Sequence, residues 1–354
     1  MKPNQYIQVG RLTNSCLIGA NAYRICSGEE EFDSAFLEEI TDTVRQRKGH
    51  CYMRADTLLD KSELWMVPFA MGQRKLQNLQ EVLEYVQQQM LGKAHFYFPF
   101  DLIEENAHTA YLIHPIDRTK TVPIRKFMPD AFAERWNMSV SLFRRVLELQ
   151  QSGLTSNGIS REQMRVCPET GEVNLWLNQT ISFADGSDNT NAIARHIGFL
   201  SLPTEMEKIC EAQGISICGT QRDVFSAAVT AFYLIMYTHP FVGSAFYPLL
   251  RDDYMTQYHY CPVYIMSGDP RNNLGNQIFG TAVQAQWNRT VPQLKQLFDD
   301  LFMAVSDPAK YWKPDADYWK PEKWLEALQL DAQENDNEAS HSEYHFANEQ
   351  YHLV

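Results

Sequence analysis

GLTSNGISREQMRVCPETGEVNLWLNQTISF, residues 153–183, is the stretch from which the fold is read. Pro168-Glu169-Thr170-Gly171 has turn chemistry: proline presets one φ and glycine accepts a positive one. Short apolar runs flank it, Met164 to Val166 before and Val173 to Leu177 after. Two strand-length runs about a four-residue turn predict a β-hairpin. Upstream, Leu142, Phe143, Val146, Leu147 and Leu149 recur at helical spacing. A helix over 133–151 therefore leads through a loop of small residues into the hairpin.

Helix, loop and hairpin in this order resemble the catalytic-loop region of protein kinases, and the two patterns align without a gap. The family reads His-Arg-Asp-Leu-Lys-Pro-x-Asn, then a hairpin, then Asp-Phe-Gly. Here the eight loop positions are Ser156, Asn157, Gly158, Ile159, Ser160, Arg161, Glu162 and Gln163, and the triplet is Leu177, Asn178, Gln179. Phosphoryl transfer needs a carboxylate to orient the attacking hydroxyl, and an Asp and an Asn to hold the metal ions. Gly158 offers no base. Leu177 cannot ligate Mg²⁺, which takes oxygen ligands. Gln163 keeps an amide on a longer arm. The resemblance thus implies a kinase-like chain without its catalytic groups, a pseudokinase. The residues of the stretch alone also allow an ordinary hairpin in an unrelated α+β protein.

The rest of the chain extends the resemblance. Residues 5–27 read as two strands, with Gly10 and Gly19 too far apart for a glycine-rich nucleotide loop. Ser34 to Gln46 has helical spacing. Tyr52 to Leu59 and Glu63 to Met71 read as strands, and the second carries Pro68-Phe69 where the family's strand ends in a phosphate-pairing Lys. The nearest cation, Lys75, reads as solvated. Leu76 to Met90 forms one apolar stripe in the place of the kinase C-helix, with Glu81 and Glu84 as solvated carboxylates. Residues 95–103 and 107–116 read as two strands about a turn at Glu104-Glu105-Asn106. Ile113 to Arg118 is then the hinge, and Val122 to Ala131 a linker with two prolines.

Beyond the hairpin, Ala184 to Arg195 takes the activation-segment place. Its Asp185 and Asp188 lack the alternating ligands of a calcium loop. Leu202-Pro203-Thr204-Glu205-Met206 resembles the family's Ala-Pro-Glu segment. Asp223, an apolar run and Pro240-Phe241 follow at the family's spacing. The resemblance implies that Asp223 caps the loop's backbone amides and that Lys320 pairs with Glu205, where kinases use an Arg.

The expected fold is α+β and bilobal, with a small β-rich N-lobe over 1–116, a larger helical C-lobe over 117–330 and an acidic disordered tail over 331–354. Apolar residues make up 44% of the chain, enough for a core, and the net charge of −13 disfavours nucleic acid and anionic membrane as partners. Asp331, Glu334, Asp336, Glu338, Glu343 and Glu349 place part of that charge in the tail, with no Lys or Arg among them. His341, His345 and His352 lie there without a preorganised metal geometry. Seven cysteines with no CxxC pair fit free thiols in a reducing cytoplasm. The N-terminus carries no apolar signal run. Val224 to Tyr237 is uncharged but shorter than the ~20 residues a bilayer core requires, so it reads as a buried helix. Tyr311-Trp312-Lys313-Pro314 and Tyr318-Trp319-Lys320-Pro321 recur seven residues apart and read as aromatic packing.

Three function classes follow. The first is a catalytically inactive kinase-like module that binds or regulates protein partners, of a kind the resemblance associates with bacterial multi-protein systems. The second is a kinase-fold nucleotidyl- or phosphotransferase with a rearranged site, for which Glu162, Asp185 or Asp188 would have to supply metal ligands, with ATP and Mg²⁺ as its cofactors. The third is a helical adaptor without kinase ancestry. Under the first, no cofactor is expected.

Overall fold

The computed structural model describes residues 6–9, 21–27, 53–57, 63–70, 73–90, 95–98, 101–106, 109–115, 121–161, 163–177, 180–185, 200–246, 253–275 and 278–336, with only the backbone described in several of the early strands. Strands dominate the first part of the described chain and helices the second. Six strands form one sheet in the order β1-β2-β3-β4-β7-β6. They are β1 (Tyr6–Val9), β2 (Asn21–Ser27), β3 (Met53–Thr57), β4 (Glu63–Ala70), β6 (Asp101–Asn106) and β7 (Thr109–Pro115), paired antiparallel throughout. Pro68 sits inside β4. Among the described residues, β3 pairs with Glu63 to Met66, and Pro68 lies opposite Tyr111 of β7.

Helix α1 (Gln73–Met90) buries Leu79, Val82, Leu83 and Val86, the stripe its spacing predicts. The 95–103 run is not one strand. Phe96–Tyr97 forms β5, which pairs parallel with β11 in a separate sheet, and β6 begins only at Asp101. Proline at 99 falls between them. The expected turn at Glu104-Glu105-Asn106 is instead part of β6, with a register shift between Glu104 and Asn106. Of the expected hinge, Ile113 to Pro115 belong to β7, and 116–118 lie outside the described residues. Part of the linker is structured: Val122–Pro123 is β8 and Ile124–Lys126 a single 3₁₀ turn. Gly10, Gly19, Ser34 to Gln46 and residues 186–195 lie outside the described residues.

Helix α2 (Phe132–Gln151) leads into β9 (Leu154–Thr155), then the hairpin of β10 (Met164–Val166) and β11 (Val173–Trp176), then β12 (Ser182–Phe183). The hairpin register is Met164 opposite Leu175 and Val166 opposite Val173. Gly171 takes φ +69°, and its amide and that of Thr170 both turn back to the Cys167 carbonyl. The sheet order β5-β11-β10-β8 puts the hairpin in its middle.

The helical part follows: α3 (Thr204–Ala212), α4 (Gly219–Met236), α5 (Tyr254–Tyr260), α6 (Ile278–Arg289), α7 (Pro292–Ser306), α8 (Pro308–Tyr311) and α9 (Pro321–Asp336). Helix α4 is apolar around most of its circumference, as a helix enclosed by others must be. Phe232 on α4 meets Phe298 and Phe302 of α7 edge-on, at 5.2 and 5.6 Å between ring centroids. Trp324 of α9 stacks on Phe143 of α2 at 5.0 Å. Buried Tyr318 and Trp319 tie the second aromatic-Lys-Pro unit into this core, and Trp312 of the first lies 4.8 Å from Trp319. Helix α9 continues to Asp336, into the stretch expected to be disordered from 331, and 337–354 lie outside the described residues. No helix among the described residues is long and apolar enough to cross a membrane.

Candidate functional site

The loop between β9 and β10 carries Gly158 and leads to Gln163, two of the positions set against the kinase pattern above. Its backbone is unusual at two consecutive residues, Asn157 at φ +55° and Gly158 at φ +101°. The first is a left-handed conformation that asparagine tolerates, and the second is a region for glycine. Such a turn needs outside support, and Asp223 provides it. Its Oδ2 accepts Thr155 Oγ1 at 2.7 Å and the Ser156 amide at 2.9 Å; its Oδ1 accepts the Gly158 amide at 2.8 Å. Ser226, one helical turn on, accepts the Ile159 amide at 3.1 Å. One face of α4 therefore holds the loop by its main chain.

Asp223 is not at the start of its helix. Helix α4 begins at Gly219 with Cys218 as N-cap, so the carboxylate lies inside the first turns and serves the loop instead of the helix's own amides. Burial pushes the Asp223 carboxyl up to about 6, against the lowering effect of its three donors and of nearby Arg222.

The other face of the loop is closed by side chains. Gln163 is buried; its Oε1 accepts the Ser160 amide at 2.9 Å and its Nε2 donates to Ser156 Oγ at 2.7 Å. Asn157 Nδ2 donates to the Thr180 carbonyl at 2.8 Å and to Ser182 Oγ at 2.6 Å. Leu177 is 1% exposed in the apolar core, and its amide donates to the Tyr97 carbonyl. Leu177 and Gln163 thus do not fit a divalent cation: the first is an apolar core residue and the second spends its amide inside the loop. Among the described residues no group of three or more His, Cys, Asp or Glu is placed to hold a metal ion.

The remaining expected positions are dispersed. Glu205 pairs with Lys208 at 3.5 Å and Lys320 with Asp317 at 2.7 Å, both on the surface, so the Lys320–Glu205 pair does not form. Each cation finds its acid three residues away on its own segment. The cross-element pair is made by Glu207 of α3 and Arg222 of α4, both mostly buried. The helical segment 204–212 presents Glu207 and not Glu205 to α4. Glu81 is exposed, Glu84 is half-buried with its carboxyl pushed up by burial and by Glu81, and Asp185 is exposed. Lys75, as a side chain, Glu162, Asn178, Gln179, Asp188, His341, His345 and His352 lie outside the described residues. Cys167, Cys210, Cys218 and Cys261 are free thiols.

Sequence reasoning missed Thr155, Ser156, Thr180 and Ser226, which share the loop's hydrogen bonds. The available signal was the Ser-Asn-Gly tripeptide at 156–158, a composition that marks positive-φ backbone. Beside the loop is a cavity of about 220 Å³, bounded by Gly158 and Ile159, by Leu200 and Leu202, and by Glu207 and Arg222. His259 also borders it. Its Nδ1 accepts the Thr204 amide at 3.3 Å, and burial pushes its pKa down.

The sequence matches no protein-family profile and no curated protein. Among solved structures, it is similar to the crystal structure of the BubR1 kinase domain, with a TM-score of 0.49 and 8% identity, covering 95% of this chain and 85% of that one. A similarity of that size leaves the fold to be argued from the chain's own geometry.

Proposed function

We propose that the chain is a kinase-like fold whose phosphotransfer groups have been replaced, and that it acts as a protein-binding or regulatory module. The observation that carries this reading is the loop of residues 155–160. Asp223 holds its main chain from a buried helix, the role the kinase resemblance assigns to that residue. Yet the loop presents Gly158 where a kinase presents its base, and Leu177 fills the metal position. The framework that orients the chemistry is kept and the chemical groups are gone. Losing the base and a metal ligand together removes several powers of ten in rate. The use left to such a body is recognition. Its partners are proteins of a bacterial multi-protein system in a reducing cytoplasm, rather than nucleic acid or membrane.

A thermal-shift titration with ATP, alone and with Mg²⁺ or Mn²⁺, tests this. A ligand at 100 times its dissociation constant stabilises its protein by ~2.7 kcal/mol. The expected outcome is no metal-dependent shift. A shift that requires the metal would contradict the reading and favour a rearranged transferase.

A further inference from the structure

The loop held by Asp223 contains Asn157-Gly158, the one Asn-Gly dipeptide in the chain. This pair has a chemistry of its own. No side chain at 158 hinders approach, so the Gly158 nitrogen is able to attack Cγ of Asn157. The new N–Cγ bond closes a cyclic imide, the Cγ–Nδ2 bond breaks, and ammonia leaves with the Gly158 amide proton. Water then adds to either imide carbonyl and opens the ring to aspartate or isoaspartate. Asparagine and water become an acid and ammonia, with no oxidant or reductant.

The folded loop restrains both reacting groups, each through a different element. The Gly158 amide, whose proton must leave, donates to Asp223 Oδ1 of α4 at 2.8 Å. The leaving nitrogen, Asn157 Nδ2, donates to the Thr180 carbonyl at 2.8 Å and to Ser182 Oγ of β12 at 2.6 Å. The Asn157 amide is held as well, by Thr155 Oγ1 at 3.1 Å. Cyclisation therefore has to wait for the loop to open locally.

We propose that Asn157 is a modification site, a one-way switch that deamidates when the loop is released and then prevents the loop from closing again. Aspartate at 157 has no proton for the Thr180 carbonyl, so two acceptors face each other. Isoaspartate also lengthens the main chain by one carbon at a residue set to φ +55°. None of this requires kinase ancestry.

Amide loss is followed by mass spectrometry of the tryptic peptide 146–161, with isoaspartate read by methyltransferase labelling. The full chain, in mildly alkaline buffer well below its Tm, is compared with a synthetic peptide of residues 153–161. The native chain should react at least ~10-fold more slowly than the peptide. Ser182→Ala removes one acceptor and Asp223→Asn weakens another, and each should speed the reaction at least ~2-fold. The deamidated chain, separated by charge, should melt below the unmodified one. If Asp223→Asn fails to fold, Ser182→Ala decides. A native rate equal to that of the peptide, folded variants no faster than wild type, or a deamidated chain with an unchanged Tm overturns the proposal.

Discussion

The carboxylate of Asp223 receives the Gly158 amide at 2.8 Å, across 65 residues of sequence, and so fixes a loop that takes positive φ at two successive positions. Replacing Asp223 by Ala leaves the buried Ser156 amide, the half-buried Gly158 amide and the buried Thr155 hydroxyl without this acceptor. Each such group costs ~1–3 kcal/mol, so Asp223→Ala should lower the unfolding free energy by at least ~3 kcal/mol in a urea titration. A loss below ~1 kcal/mol would mean that the loop does not depend on this residue.

Asp223 also has a pH signature. Its folded carboxyl is raised from the ordinary 3.8 to about 6, chiefly by burial. A raised carboxyl binds its proton more tightly in the folded state. Its contribution is therefore fully present below pH 3.8 and is lost as pH rises through about 6. Against the non-titrating Asp223→Asn, wild type should lose ~3 kcal/mol of relative stability across that window. A difference that stays flat across the window would show that the carboxyl titrates as it does in the unfolded chain.

Placing aspartates at positions 158 and 177 should not create a kinase. Gly158 sits at φ +101°, where an L side chain is strained by ~1–3 kcal/mol, although a Cβ there would meet nothing nearer than 3.7 Å. Leu177→Asp buries a charge in the apolar core. The double variant Gly158→Asp, Leu177→Asp should melt well below wild type and transfer no phosphate. Detectable transfer by a folded double variant would refute this account of the loop.

Gly219 opens α4 against the loop. A Cβ built there lies 2.5 Å from Asn157 Oδ1 and 2.6 Å from Thr155 Oγ1 and Cγ2. Helix propensity alone favours Ala over Gly by up to ~1 kcal/mol. Overpacking opposes it with ~1–3 kcal/mol, so Gly219→Ala should be destabilising overall, as read by its melting temperature. A stabilised variant would mean that the loop yields freely to the helix.

How legible was this chain? The hairpin was plain because proline and glycine mark its turn, and α1, α2 and α4 because their apolar periodicity is long. The start of α4 was placed too late. Gly219 and Thr220 are weak helix formers, and Cys218 is an unusual cap whose bond with Gln221 depends on the folded geometry. The 95–103 run misled because alternating apolar residues do not say which sheet a strand joins, and β5 crosses to the hairpin. The resemblance to the kinase pattern singled out Gly158, Gln163 and Leu177. It did not supply Gln163 turned inward onto Ser156, or Glu207 facing Arg222, because these contacts depend on how distant elements pack. The pairing of Lys320 with Glu205 failed for the same reason: charges in sequence do not report which surface residues meet.

The central claim is most directly tested by incubating the full chain with ATP labelled in turn at the α- and γ-phosphates, with Mg²⁺ and then Mn²⁺, and measuring label transferred to protein and label released. The account predicts neither above the heat-denatured chain with either label. Transfer of the γ-label or of the adenylyl group, lost on removal of the metal, would contradict it.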